Sequence, residues 1–439
     1  MTFFNSVLSV FKRDIFIYCL TIAVSIIVAR TLGPEILGIW IALSLISQYA
    51  DFFARLKSDL ASVQLLGEAE FSKETILFGS SIIALFTSLA IVGMLLYLQD
   101  NIMALILGDD SAQYHIIFLL IVACLPFEFL LSCYKYFYLG VENINFYNTI
   151  NIVMSVSNFL LIICFLSFNL GIAAIALAKI LSTFMTLVMV LIHLHIVNKQ
   201  RVYSPHLSKR FVHKLALASS GFYGSNLLIN LFDVSFRTFG AIFLAKANLA
   251  FFNQAESLSR LIIKLSESVA TVLYPRISRT HRSEEAINLT ILTFKCLIIV
   301  QLLIALPLLL MGETVIVFLY GNAFIDVASY LRWMILPFIL FSAVNVFKIH
   351  IEGRGEAHMI PRLIIIPITI SLPCSYFLTS HYGIDGLVAG FNIGYLLYAL
   401  SLIFYSTRLL SIPLKKLIIT LDDIKIYMRF AFAWIMRAK

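Results

Sequence analysis

Ile76-Leu-Phe-Gly-Ser-Ser-Ile-Ile-Ala-Leu-Phe-Thr-Ser-Leu-Ala-Ile-Val-Gly-Met-Leu-Leu-Tyr-Leu98 runs for 23 residues without a charge. As a helix it is long enough to cross a hydrocarbon core about 30 Å thick, which takes about 20 apolar residues. Runs of the same kind recur along the 439-residue chain, at 14–31, 36–54, 114–133, 149–168, 172–192, 214–236, 249–273, 288–311, 329–347, 363–380 and 386–407. Together they predict an all-α integral membrane protein with twelve transmembrane helices. Composition leads to the same class: 61% of residues are hydrophobic and 13% charged, against about 25% charged in a soluble domain. A soluble enzyme is excluded.

Basic residues set the orientation, because lysine and arginine outside the spans favour the cytoplasmic side. With both termini cytoplasmic, the inner segments hold 24 of the 32 Lys and Arg, and the outer connections hold three, Arg30, Arg237 and Lys246. The net charge of +8 is therefore read as an orientation signal, and nucleic acid has no part in the reading. The tail 409–439 is basic; its stretch 426–436 contains Arg429 and is too short to cross, so an interfacial helix is expected there. The first eleven residues are read as interfacial too. All six cysteines lie in apolar runs without a Cys-x-x-Cys pair and read as free thiols.

The chain repeats itself. Leu107-Gly-Asp-Asp110, Leu125-Pro-Phe127, Gly140 and Gly171-Ile172 return as Tyr320-Gly-Asn-Ala323, Leu336-Pro-Phe338, Gly353 and Gly383-Ile384, at offsets of 211 to 213. This predicts two six-helix bundles, 1–205 and 206–408, followed by the tail 409–439. Six is even, so the bundles share one direction, related by a pseudo-twofold axis along the membrane normal with a cavity between them. Chance recurrence of glycine and proline in apolar sequence is the bland alternative.

Charged groups at membrane depth are costly and normally face water or a partner. Ser219, Tyr223, Asn226, Asn230, Asp233 and Arg237 follow steps of three and four residues, which places them on one helical face. Asn253, Glu256, Arg260, Lys264, Glu267 and Thr271 do the same, as do Ser44, Gln48, Asp51 and Arg55. Glu128, Lys179, Lys295 and Arg332 are isolated. Seven basic groups (Arg55, Lys179, Arg237, Arg260, Lys264, Lys295, Arg332) stand against five acidic ones (Asp51, Glu128, Asp233, Glu256, Glu267), and a mildly cationic cavity suits an anionic cargo. The competing reading is that Asp51 with Arg55, Asp233 with Arg237 and Glu256 with Arg260 neutralise one another at i,i+4 spacing. Glu128, just past the kink-forming Pro126, reads either as a proton site or as a buried hydrogen-bonded acid. No phosphate loop, metal-ligand spacing or catalytic constellation is present in the sequence, so neither a cofactor nor an enzyme is expected.

Ile27-Val-Ala-Arg-Thr-Leu-Gly-Pro-Glu35 with Leu37-Gly38 resembles the first hairpin of polysaccharide-repeat exporters, the Wzx-type O-antigen flippases. Tyr274-Pro-Arg-Ile-Ser-Arg279, Leu319-Tyr-Gly321 and Gly383-Ile-Asp-Gly386 resemble further motifs of that polysaccharide biosynthesis and export family, over roughly 12–408. The resemblance implies the fold of the multidrug and toxic compound extrusion (MATE) transporters, within the multidrug/oligosaccharidyl-lipid/polysaccharide exporter superfamily. It implies an undecaprenyl-diphosphate-linked oligosaccharide as cargo, a bacterial inner membrane, and a partner in the O-antigen polymerase machinery. Arg30 and Arg55 would match basic positions near the lipid diphosphate, with Arg260 and Lys264 extending the patch.

The leading expectation is thus alternating-access translocation of a lipid-linked repeat unit from the cytoplasmic to the periplasmic leaflet, driven by H+, Na+ or potential through Asp233, Glu256 or Glu267. The substrate-contacting cations would be Arg30, Arg55, Lys179, Arg237, Arg260, Lys264, Lys295 and Arg332, with Tyr223, Asn226, Asn230 and Asn253 completing a polar stripe. A peptidoglycan-precursor flippase, which commonly has fourteen spans, is the first alternative. A drug/cation antiporter, expected to favour an acidic cavity, is the second. An integral-membrane polysaccharide polymerase is the alternative from another class, and it would be expected to carry a large outer loop.

Overall fold

The computed structural model describes residues 3–55, 57–68, 70–197, 208–280, 284–354, 356–410, 412–418 and 420, and among them every regular element is a helix. In order these are α1 (Phe3–Arg55), α2 (Ser58–Glu68), α3 (Lys73–Tyr97), α4 (Gln99–Leu107), α5 (His115–Gly140), α6 (Ile144–Ser167) and α7 (Ala173–Ile192). There follow α8 (Lys209–Phe243), α9 (Lys246–Ser259), α10 (Leu261–Thr280), α11 (Glu284–Leu310), α12 (Gly312–Tyr320), α13 (Val327–Gly353) and α14 (Ile360–Leu409). Polar caps begin several of them: Ser72, Asn143 and Ser208 each accept from the backbone N–H three residues on, at 3.1–3.2 Å, filling donors that a helix start leaves open.

Among the described residues, eight helical stretches are long and apolar enough to cross a membrane. The chain is a multi-pass membrane protein. Large apolar side chains such as Phe86, Leu303, Phe318 and Ile366 stand exposed, as expected where the surrounding solvent is lipid. Tyr97 and Trp333, also exposed, lie near helix ends, where amphipathic rings favour the membrane–water boundary.

Two of the eight stretches are too long for one crossing. At 53 residues, α1 would extend about 80 Å if straight. It is divided at Gly33, whose φ of 76° and ψ of 175° leave the helical region, with Pro34 directly after it. Gly383 (φ 60°) divides the 50-residue α14 in the same way. Only glycine adopts such backbone at little cost.

The backbone repeats where the sequence does. The nine-residue α4 ends at Gly108 (φ 63°), and the nine-residue α12 ends at Gly321 (φ 93°). Each is followed by a 3-10 turn and then by a long helix with an internal proline, Pro126 in α5 and Pro337 in α13. Those helices end at Gly140 and Gly353, and the left-handed Gly171 matches the left-handed Gly383. The short α4 and α12 lie in segments read from the sequence as outer connections.

By contacts the chain divides into two compact units, 1–250 and 251–439. This boundary differs from the repeat boundary at 205/206 for a visible reason: Phe211 and Leu215 of α8 pack with Ala61, Leu65 and Ile76 of α2 and α3. In the first unit α5 is central, its Leu131, Tyr134, Phe137 and Tyr138 joining Leu77, Ile150, Leu187 and Val190 from α3, α6 and α7. In the second unit α13 is the most deeply buried apolar stretch. The tail segment 426–436 lies outside the described residues, and α1 begins at Phe3, within the segment read as interfacial.

Candidate functional site

Each unit carries a charged cluster built from corresponding helices. In the first, Ser47 and Asp51 lie on the second stretch of α1, Glu128 lies two residues beyond Pro126 on α5, and Lys179 lies on α7. The Lys179 ammonium is 2.9 Å from Glu128 Oε1 and donates to Ser47 Oγ at 3.0 Å. Asp51, one turn beyond Ser47, also acts on it electrostatically. All four side chains are buried or half-buried, so the partners replace hydration that the ammonium has lost.

In the second unit Glu256 lies on α9, Arg260 at the junction of α9 and α10, Phe338 directly after Pro337 on α13, and Tyr395 on α14. Arg260 Nε and Nη2 both donate to Glu256 Oε1, at 2.8 and 2.7 Å, and Nη2 also reaches the Tyr395 hydroxyl at 3.0 Å. The guanidinium carbon stands 5.8 Å from the centre of the Phe338 ring, within range of a cation–π contact. Glu256 is almost wholly buried at 4% exposure, while Arg260 keeps 29%. The arrangement presents a positioned, partly open guanidinium with its counter-charge behind it. Such a fork suits planar or tetrahedral oxyanions, carboxylate or phosphate.

The backbone tightens at this point: Arg260 N–H still bonds Glu256 O (2.9 Å), whereas Ile263 N–H reaches back only three residues to Arg260 O (3.1 Å). Just beyond, the Gln301 amide of α11 donates to Ser342 Oγ of α13 at 2.7 Å, and that oxygen lies 3.0 Å from Ser266 Oγ and 3.2 Å from Ile262 O of α10. This buried network ties three helices together below Arg260. Pro337 cannot accommodate the usual bond to the carbonyl four residues earlier; that carbonyl, Trp333 O, is capped by Asn392 Nδ2 at 3.1 Å.

The remaining sequence-predicted residues separate into groups. Asp233, Arg237, Tyr223 and Asn230 are half-buried along the single helix α8, and Asn253 and Lys295 are half-buried on α9 and α11. Arg30 is exposed beside the Gly33 break. Lys264 pairs with Glu267 at 2.7 Å, both about half exposed. Arg332 pairs with Glu313 of α12 at 3.0 Å. The side chains of Arg55 and Asn226 lie outside the described set. Ser47, Tyr395, Asn392 and Gln301 escaped the sequence reading, since a lone polar residue in an apolar run gives no sign of its partner. Among the described residues no group of three or more His, Cys, Asp or Glu is placed to hold a metal ion.

Outside the spans, Glu70 accepts from Lys214 and lies 2.6 Å from Arg210, which joins the α2–α3 connection to the start of α8. The Lys214 hydrogen bond first, and then the charges of Arg210 and Lys214, hold the Glu70 carboxyl below its ordinary pKa. A lowered folded value means that the contact contributes above the unfolded carboxylate range and is lost as pH falls through the folded value. Glu70→Gln is expected to speed amide exchange over 209–216 at neutral pH. High salt should do the same to the wild type, because the groups are accessible to screening ions; unchanged exchange in the variant would show that the apolar contacts of Phe211 and Leu215 alone hold the helix start.

The sequence profile described as polysaccharide biosynthesis protein matches residues 5–281. No curated protein matches the chain. Among solved structures the chain is similar to an inward-facing multidrug resistance MATE family transporter of the MOP superfamily, with TM-score 0.74 and 17% identity over 90% of this chain and 94% of that one. It is similar to the lipid II flippase MurJ in an inward closed conformation, with TM-score 0.75 and 15% identity over 93% and 89% of the two chains. A third similar structure is a MOP superfamily transporter from Pyrococcus furiosus, with TM-score 0.66 and 15% identity over 92% and 95%. At these identities the likeness speaks for the fold.

Proposed function

Since the chain belongs to the polysaccharide biosynthesis protein family, we propose that it translocates an undecaprenyl-diphosphate-linked oligosaccharide, the O-antigen repeat unit, across a bacterial inner membrane. The observation that carries this reading is the Arg260 guanidinium, partly open and backed by Glu256 and Tyr395, in a multi-pass member of that family. A diphosphate supplies the oxyanions that such a fork binds through charge-assisted hydrogen bonds. Within the second unit Lys264 and Lys295 extend the cationic path and Asn253 adds a polar group; within the first, Arg30, Arg55 and Arg237 supply positive charge and the polar stripe of Tyr223, Asn226 and Asn230 keeps the sugar hydrated. No bond of the cargo is made or broken, so the protein acts as a transporter.

On this reading the chain crosses the membrane twelve times, with both termini cytoplasmic. The two glycine-divided stretches each count as a pair, and the eight apolar stretches then give ten crossings. The more polar α8 and the α9–α10 stretch bring the number to twelve. Two six-helix bundles with the repeated element order described above alternate in access, and the cycle is coupled to an ion or to the membrane potential.

The test is a strain lacking the gene, with surface O-antigen and cytoplasmic-leaflet lipid-linked units measured together. Restoring the gene is expected to return surface polymer and to clear accumulated inner-leaflet units. Units that reach the outer leaflet without the gene, while polymer still requires it, would overturn the proposal in favour of a polymerase.

A further inference from the structure

The first unit's charged cluster contains the parts of a small-cation site and something already in it. Glu128 supplies a carboxylate and Ser47 a hydroxyl, and Asp51 acts electrostatically on the same ammonium. Oxygen donors from a carboxylate and a hydroxyl suit a hard cation. Lys179 brings the positive charge from within the chain, with its ammonium 2.9 Å from Glu128 and 3.0 Å from Ser47.

The repeat makes this placement informative. At the offset of 212 that relates Gly171 to Gly383, the nearest anchor, position 179 corresponds to Phe391. Phe391 is buried and stacks on the Phe338 ring next to Pro337, with centroids 5.4 Å apart. Pro126 interrupts α5 as Pro337 interrupts α13, yet the residue at the matching position here is a lysine that reaches the side chains of α5 and α1. An apolar ring is enough for packing; the charged side chain answers the Glu128 carboxylate.

We propose that Lys179 is a tethered cation occupying what would otherwise be a monovalent-cation site, so that the first unit carries its own positive charge through the cycle and takes up no free ion there. This rests on the transporter reading only for its meaning in the cycle. Ion coupling, where it occurs, is then left to acidic groups elsewhere. Removing the ammonium uncovers the oxygens of Glu128 and Ser47 and takes away the cation that Glu128 pairs with, a deficit that a free cation fills.

The experiment is thermal unfolding of the purified full-length protein at fixed pH and ionic strength, with Na+ or K+ chloride replacing choline chloride. The wild type is expected to show no difference among the salts. Lys179→Met is expected to gain a saturable rise in Tm on the order of 2 °C with Na+ or K+, abolished in Lys179→Met/Glu128→Gln. Should Lys179→Met fail to fold, Lys179→Gln keeps a polar group at the position and is judged by the same results. A wild type already stabilised saturably by Na+ or K+, or a folded Lys179 variant indifferent to both, would overturn the proposal. No lipid-linked sugar enters the measurement, so its outcome is independent of the translocation assay.

Discussion

Gly38→Ala is expected to lower stability by about 3 kcal/mol, at the upper end of what overpacking a filled interior costs, read as a fall in Tm and in folded yield. A Cβ on Gly38 would stand 1.7 Å from the Lys246 carbonyl oxygen, 2.4 Å from its carbon and 2.9 Å from its Cα. These are backbone atoms, which cannot swing aside as the end of a side chain does. Lys246 is itself fastened: its ammonium donates to Ala241 O of α8 (2.8 Å) and to Ile106 O of α4. Relieving the clash therefore means separating α1 from the start of α9 and disturbing both of those helix ends. Gly93→Ala in α3 is the control, because nothing lies within 4 Å of a Cβ there. It is expected to be neutral or to stabilise by up to about 1 kcal/mol, the entropic penalty that glycine carries inside a helix. A Gly38→Ala protein with wild-type Tm would refute the close approach.

Arg260→Ala is expected to reduce translocation 10- to 100-fold. A hydrogen bond to a charged group is worth about 1.5–3 kcal/mol, and each 1.4 kcal/mol is a factor of ten. The same substitution leaves Glu256 buried without its cation, and breaking a buried pair from one side costs about 3–5 kcal/mol, so a fall in folded protein accompanies it. The double variant Glu256→Gln/Arg260→Met separates the two effects. It removes both charges together and is expected to fold better than Arg260→Ala while remaining inactive, because the guanidinium proposed to hold the cargo is gone. Arg260→Lys keeps the charge without the planar fork and should fall between the two. A double variant that transports at the wild-type rate would reduce the pair to a structural role.

The features that proved legible in the sequence are those that depend on local order. Hydropathy located the apolar stretches, and a recurring glycine or proline marked the points where the backbone leaves the helix, at Gly108 and Gly321 and at Gly171 and Gly383. Spacing anticipated the Glu256–Arg260 pair, whose partners sit one turn apart. Partners distant in sequence were beyond such a reading. Tyr395 meets Arg260 across 135 positions, and Ser47 meets Lys179 across 132; the rotation and depth at which helices pack decide these contacts, and periodicity fixes neither. For the same reason the pairing of Arg332 with Glu313 of the neighbouring α12 was not anticipated, whereas the Lys264–Glu267 pair is local, three residues apart on α10. The division at 250/251 was hidden because a repeat records ancestry of sequence, whereas Phe211 and Leu215 follow the nearest apolar partner.

The break at Gly33 also bears on how the protein is made. One non-helical residue joins the two stretches of α1. On the twelve-crossing topology proposed above, that leaves no slack for the first to settle in lipid while the second waits in the insertion channel, and the two are expected to partition together as a hairpin with Arg30 and Glu35 near its tip. The unit of biogenesis at this end of the chain is, on that topology, the hairpin. Its success depends on the summed hydrophobicity of both arms, so a polar substitution tolerable in a lone segment would be felt by two.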